Sequence, residues 1–595
     1  SVSVADMQGN LRLAQVPKNI TLNVGDRIPV MLGNSGAGPR SQNEFLFVRA
    51  TNFAIQPYRS KNIGLSPSFE KILKGEVSEG FIIRVNCQVV AIKQTSGPTL
   101  FKITDEPGNT ITGVGFTEAG ARAFPAVMEN TVLEAVGHYN IHQGQTQIDL
   151  REMTILGNEE SEQFRKKALQ RLLEKTKAAE IPFSVKSETL EKLRPNFSAA
   201  AEKIRRAVLT GRTIYLKYHA NCVDGACAEV LLDQAILDLG RSKSSEARIN
   251  LRKHSLRGNS YEFADASRDV VSLLEEQTRG STASGEPPLF VLIDIGSSDE
   301  NLLTLNLLGM YDIETVVLDN HSMSQSLRSK ISVTISPYLI SEGYLHNLSV
   351  AMLAFELGRL VSANHDAYSN RMKHLPVVSG IAEQVMENPD SEMAQYRSFL
   401  SDSVFKDKVT EMADAIDYQS TFLRPYSDGG MLVSELLGLG ASPRLVDQYV
   451  PMLANEARTA RENAIKATSM NFDQSTINPG SEETLITKID FELAPRINYP
   501  SPSKSAELLH EQLAKTNPTK RIMTIGIGFD YVIIHCSRII NFRPGELVAS
   551  LKQRIPNASV VDGAGHGARI GVIRFFAPYK REVLEFILTE ASFLK

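Results

Sequence analysis

Apolar and polar positions change their period several times along the chain, and each change marks a different kind of element. Residues 81–93, 97–109 and 110–116 alternate in the period of two expected of half-buried strands, with Gly, Pro and Asn at the breaks. Such closely spaced alternating strands predict a five-stranded barrel of the OB type over residues 76–157. Residues 1–75 carry the same signals in shorter pieces, as in 23–32 and 44–49, and predict a small β-barrel domain. From 158 to 209 the pattern is helical, rich in Lys, Glu, Leu and Ala, and predicts a helical linker. Residues 210–389 alternate β-branched runs with helical stretches, the pattern of a parallel sheet with helical crossovers. Residues 390–480 are again helical and predict a connector. Residues 481–595 form a last α/β unit, with strands at 522–527 and 531–536 and a closing helix near 582–588. The predicted fold class is therefore multidomain: β-barrels first, then a parallel α/β domain, a helical connector and a C-terminal α/β domain.

Composition narrows the class. At 595 residues the chain is too long for one core. With 42% hydrophobic and 22% charged residues it reads as an ordinary soluble globular protein. A net charge of −4 does not point to nucleic acid, but local patches and not the total govern such binding. The four cysteines, Cys87, Cys222, Cys227 and Cys536, fit neither a four-ligand zinc pattern nor a disulfide framework, which suggests free thiols. No apolar run reaches the ~18 residues of a membrane span, and no secretory signal opens the chain, so a cytoplasmic protein without a membrane partner is expected.

Three apolar runs end in groups that carry chemistry. The first, 214–218, leads into His219, Cys222 and Asp224; the second, 290–293, leads into Asp294; the third, 313–318, leads into Asp319, Asn320 and His321. In an open parallel sheet the carboxyl ends of the strands form the ligand crevice. Asp224, Asp294, Asp319 and His321 on one rim would suit Mn²⁺ or Mg²⁺, which prefer oxygen and accept nitrogen donors. Cys222 and Asn320 stand where such an ion would want harder ligands. Further along, the glycine-rich turn at Gly563, Gly565 and His566 could bring backbone amides to a phosphate, with Arg538 nearby. Arg205, Arg206 and Arg212, with Lys203, precede the crevice as an electrostatic funnel, and the basic stretch 166–177 could track a phosphate backbone. In the barrel, Phe101, Phe116 and Lys102 are candidates for base stacking and backbone contact.

The motifs in order resemble the DHH phosphoesterases. Residues 219–225 are similar to the first motif, Asp294 to the second, residues 319–321 to the Asp-His-His triplet and residues 380–383 to the fourth. Residues 563–568 resemble the Gly-Gly-His signature of the DHH-associated substrate-binding domain. The run 201–214 is similar to archaeal RecJ-like proteins with an OB domain, the branch that includes the Hef-associated nuclease. The resemblance implies His219 and His321 as catalytic groups and Asp224, Asp294, Asp319 and Glu383 as ligands of Mn²⁺. It also implies three departures: Cys222 for an Asp, Asn320 for the first His and Glu383 for an Asp. A thiol and a neutral amide weaken a hard-ion site, and a carboxylate moved by a methylene matters where displacements of ~1 Å can cost ~100-fold in rate.

The expectation is thus a single-stranded nucleic-acid-binding protein with an eroded metal centre, a scaffold or a weakly active or inactive nuclease. Its cofactor would be Mn²⁺ or Mg²⁺ if active and otherwise none. One alternative is a working Mn²⁺-dependent 3′-to-5′ single-strand exonuclease of DNA repair or RNA processing. Another is a hydrolase of small phosphodiesters or oligonucleotides. Single-stranded DNA or RNA is the expected partner, with protein partners in a repair, replication or RNA-processing assembly, and a homo-oligomer left open.

Overall fold

The computed structural model describes residues 67–592 apart from 118–120, 143–144, 244–249, 257, 259, 279–285, 341–346, 401–402, 424–428, 441, 443, 470–471, 478–482, 494–498, 538–539, 541–543 and 563–569. Within the first 66 residues it describes four strand segments. Two compact units result, Ser1–Lys175 and Thr176–Lys595.

The first unit begins with strands Val2–Ala5, Leu11–Gln15, Met31–Gly33 and Phe45–Phe47, which form a four-stranded sheet in the order first, second, fourth, third. That sheet stands where a small barrel was expected. The next five strands, Ile82–Gln94, Thr99–Asp105, Thr110–Gly115, Val132–His142 and Gln145–Ile155, do close into a barrel. Alternation drives the closure: in Thr99–Asp105 every second residue is buried, so Phe101 and Ile103 enter the core with Ile83, Leu133 and Ile148. The buried Asp105 carboxylate ties the barrel's turn and the preceding helix together, accepting from Asn109 N–H and Phe69 N–H at 2.8 Å each.

The second unit opens with helix Glu188–Thr210 and a five-stranded parallel sheet. The strand order is Leu251–Leu256, Ile214–His219, Leu289–Ile293, Glu314–Leu318, Val333–Ile335. The three central strands are buried on both faces, which explains their unbroken apolar runs. One large core covers one face and extends from Phe183 to Leu453. The helices Glu392–Ser398, Val409–Tyr418, Gly429–Leu436 and Val450–Ser469 supply Met393, Tyr396, Met412, Ile416, Leu436 and Leu453 to it. The segment read as a connector is therefore part of the domain core. The C-terminal sheet has six strands, in the order Phe472–Ile477, Thr484–Asp490, Arg521–Ile527, Tyr531–Cys536, Ile570–Arg574, Val561–Asp562. No helix among the described residues is long and apolar enough to cross a membrane.

Candidate metal centre

Strand register assembles the rim. Tyr218 pairs with Ile293, and Ile293 with Leu318, so the residues one step beyond, His219, Asp294 and Asp319, lie on one rung across three adjacent strands. The ladder continues into this rung, with Asp294 N–H donating to Leu318 O at 2.9 Å and Asp319 N–H to Ile335 O at 3.1 Å. Adjacent strands are ~4.8 Å apart, so side chains on one rung converge without help from long loops. After His219 the chain turns tightly into helix Val223–Lys243, which places Cys222 beside the rung and Asp224 in the first helical turn. Gly225 makes the turn feasible: a Cβ there would meet His219 O at 2.3 Å.

Asp294 is the hub. Its backbone φ of +56° is left-handed, a conformation that costs a non-glycine residue of order 1 kcal/mol or more and that collects at functional sites. Its Oδ2 accepts from Cys222 Sγ at 2.8 Å and lies 3.2 Å from His219 Nδ1. Its Oδ1 lies 3.8 Å from His321 Nδ1. Two groups of ligand atoms share this carboxylate, His219–Cys222–Asp294 and Asp294–Asp319–His321, each with its donors within 4.8 Å of one another. His321 Nδ1 lies 2.6 Å from Asp319 Oδ1, whose oxygen also accepts from His321 N–H at 3.1 Å.

Charge on the rim is strongly perturbed. Burial alone would lower the His321 pKa, but the Asp319 charge and hydrogen bond, with Asp294 and Glu383 behind them, push it up to about 10. Burial raises Asp294, yet its hydrogen bond and charge interaction with His219, then His321, leave it below the ordinary carboxylate range. Burial and the Asp294 charge push Asp224 up to about 7. Burial, Asp224 and Asp294 push Glu383 well above its ordinary value, against the nearby Lys504. Burial and the surrounding carboxylates likewise raise the Cys222 thiol. So many acidic groups close together, some of them driven to hold protons, are what a dication would relieve.

The other expected ligands lie differently. Asp224 and Glu383 fall in neither ligand group. The Asp224 carboxylate accepts from Val350 N–H at 2.7 Å, Ala351 N–H at 2.6 Å and Ser379 Oγ at 2.6 Å, and so caps the buried helix Val350–Val361. Asn320 donates through Nδ2 to Leu348 O at 3.2 Å, and its Oδ1 is buried without a hydrogen-bond partner. That orphaned oxygen and the shared Asp294 carboxylate fit a cation better than they fit a closed hydrogen-bond network. Glu383 caps the end of helix Leu375–Ala382.

Several expected nucleic-acid contacts need correction. Phe101 is fully buried, edge-on to Phe124 with ring centroids 6.0 Å apart, so its ring belongs to the barrel core and offers no stacking face. Arg212 is 6% exposed and is occupied by Glu314 Oε2 at 2.6 Å and Pro288 O at 3.1 Å. Arg205 donates to Val361 O at 2.8 Å and is drawn down in pKa by burial. These two arginines pin the helix Glu188–Thr210 to its neighbours. Arg206 is exposed, 3.5 Å from Glu286, and Lys102 is exposed on the barrel. Phe116, 66% exposed, keeps an open ring. Arg538, Gly563, Gly565 and His566 lie outside the described residues.

Sequence reading missed Lys504, Ser379 and Gly225. Lys504, on helix Pro502–Thr516, pairs with Glu507 at 2.9 Å and feels the charge of Glu383. Its helix offered no motif, because the approach is made by tertiary packing. Gly225, within the first motif, carried a readable signal of close backbone approach.

The parallel sheet thus gathers His219, Asp294 and Asp319 on one rung at its strand ends, with His321 two residues beyond. No protein-family model matches the chain. It is 27% identical over 599 residues to an uncharacterized protein of Methanocaldococcus jannaschii, covering 95% of this chain and 75% of that protein. Among solved structures it is similar to the DHH domain of a member of the s1p family of ribosomal proteins, with 26% identity and a TM-score of 0.66, covering 74% of this chain and all (100%) of the other. RecJ of Thermus thermophilus in complex with Mn²⁺ matches at 14% identity and a TM-score of 0.42, over 67% of this chain and 55% of the other. The fold of the second unit is that of a DHH domain.

Proposed function

We propose that this protein binds single-stranded nucleic acid and that its divalent-metal centre is eroded on one side, leaving a scaffold or a slow phosphodiesterase. The observation that carries this reading is the fate of three ligand positions. Asp224 is taken up in capping a buried helix, Asn320 offers only a neutral amide oxygen, and Glu383 stands in neither ligand group. Less charge and fewer donors around a two-ion cluster weaken both positions at once.

His219, Cys222, Asp294, Asp319 and His321 remain together as the residues that would hold an ion. A divalent cation there would polarise a phosphodiester and lower the pKa of an attacking water. Asp294 would hold its carboxylate fixed in the strained backbone position that aims it at both ligand groups. Asp319 would orient the His321 ring through their hydrogen bond. On the barrel, the open ring of Phe116 and the charge of Lys102 suit a sequence-tolerant single strand.

The competing reading, a Mn²⁺-dependent 3′-to-5′ exonuclease, is favoured by the convergence of both ligand groups on Asp294. A Mn²⁺-supplemented assay on labelled single-stranded DNA and RNA separates the two. The expected result is binding with little or no turnover. Turnover that Asp294→Asn abolishes, in a variant that still binds the strand, overturns the scaffold reading in favour of the nuclease.

A further inference from the structure

The two ligand groups on the rim differ in chemical character. Asp294, Asp319 and His321 offer two oxygens and a nitrogen, whereas His219, Cys222 and Asp294 offer nitrogen, sulfur and oxygen. Thiolate donors select zinc and other thiophilic ions, while carboxylates suit manganese and magnesium. Three protein donors with a fourth position left to solvent or substrate is the ligand count of catalytic zinc sites.

The sulfur is a built part of the rim. Cys222 Sγ accepts from Gly225 N–H at 3.2 Å, and Cys222 immediately precedes helix Val223–Lys243. Its Sγ also sits 2.8 Å from Asp294 Oδ2, the oxygen that faces His219. A glycine at 225 is what lets the helix start approach both His219 O and Cys222 Sγ, since a Cβ would stand 2.3 Å from the first and 3.2 Å from the second.

We propose that His219, Cys222 and Asp294 form a zinc-preferring subsite, so that the centre is chemically asymmetric, with a thiophilic ion at Cys222 and a harder ion at Asp319 and His321. The inference rests on the reading of the rim as a metal centre. At Cys222, what looks like damage to a manganese site is then a change of ion. Zinc outranks manganese on a shared donor set in the general affinity order of the divalent metals, and a sulfur ligand widens that gap. A fourth position would be left to a water or a phosphate oxygen.

The test uses the full chain, stripped with chelator and titrated by calorimetry with Zn²⁺ and Mn²⁺, and by absorbance with Co²⁺ as a spectroscopic stand-in for zinc. The expected result is one zinc equivalent bound ahead of manganese, with a sulfur-to-cobalt charge-transfer band in the near ultraviolet. Cys222→Ser should abolish the band and weaken zinc by at least ~100-fold, the upper end of what even an outer-sphere partner is worth. Cys222→Asp should shift preference toward manganese. Cys227→Ala, which removes the neighbouring buried thiol, should leave the band in place and keeps the test open should a Cys222 variant not fold. Ion binding without the band, or zinc affinity unchanged in Cys222→Asp, overturns the zinc subsite while the metal centre stands. Absence of binding by any of the three ions overturns both.

Discussion

His321 sets the charge of the rim when no ion is bound, because Asp319 and Asp294 hold its imidazolium at neutral pH. Its folded pKa of about 10 lies above the ordinary 6.5, so its contribution to stability is complete below pH ~6.5 and is lost as pH rises toward 10. Thermal melts of the chelated protein should therefore fall across that window, and His321→Gln should flatten the fall. A curve equally steep in the variant would remove His321 from the account. Asp224 behaves differently from what its motif position suggested. Asp224→Ala strips the cap from two buried N–H groups and from Ser379, and should cost about 2–4 kcal/mol in a urea melt. Asp224→Asn, which keeps the acceptor oxygen, should cost less. Residue identities at this site were legible in the sequence because each follows an apolar run that stops abruptly. The partition of Asp224 and Asn320 into structural hydrogen bonds was not, since Val350 and Leu348 lie far along the chain and no spacing reports them.

In the barrel, neighbouring residues on a strand point to opposite sides, and that rule decides which aromatics can meet a ligand. Phe101 and Lys102 are adjacent on strand Thr99–Asp105, so burying one exposes the other. Pairing them as one binding surface overlooked this alternation, although the alternating pattern itself was plain in the sequence. Phe101→Ala should destabilise the barrel by ~3–5 kcal/mol through the cavity it leaves. Phe116→Ala should leave the melt unchanged and weaken single-strand binding by ~1–3 kcal/mol in a fluorescence-anisotropy titration. The reverse pattern would place the binding surface elsewhere. Arg212 teaches the same lesson for helices: a basic residue before a strand reads as a funnel, yet the proline carbonyls and Glu314 surround it. Long-range partners turn a charge inward, and sequence spacing is silent about them.

Across the whole chain, the order of element types was legible from periodicity, including the five-stranded barrel and the parallel sheet. The position of core boundaries was not, because helices after residue 390 bury apolar faces that belong to the sheet's own core. A polypeptide ending at residue 389 loses Met393, Tyr396, Met412, Ile416, Leu436 and Leu453 from that core and should fail to give a cooperative melt. Residues 176–595, which form one compact unit, should melt cooperatively and keep the rim's affinity for divalent ions. Loss of that affinity on removing residues 1–175 would contradict a rim built wholly from the second unit. Lys504 adds a consequence of its own. It rides on a helix of the C-terminal sheet, yet its ammonium offsets the carboxylate of Glu383, and Gln384 beside it bonds Glu511 of the same helix. Whatever tugs that helix aside withdraws a positive charge from the crevice and strengthens its pull on cations; by reciprocity, cation loading favours the helix standing away. The position of that helix and ion occupancy of the rim are thereby two readings of a single equilibrium.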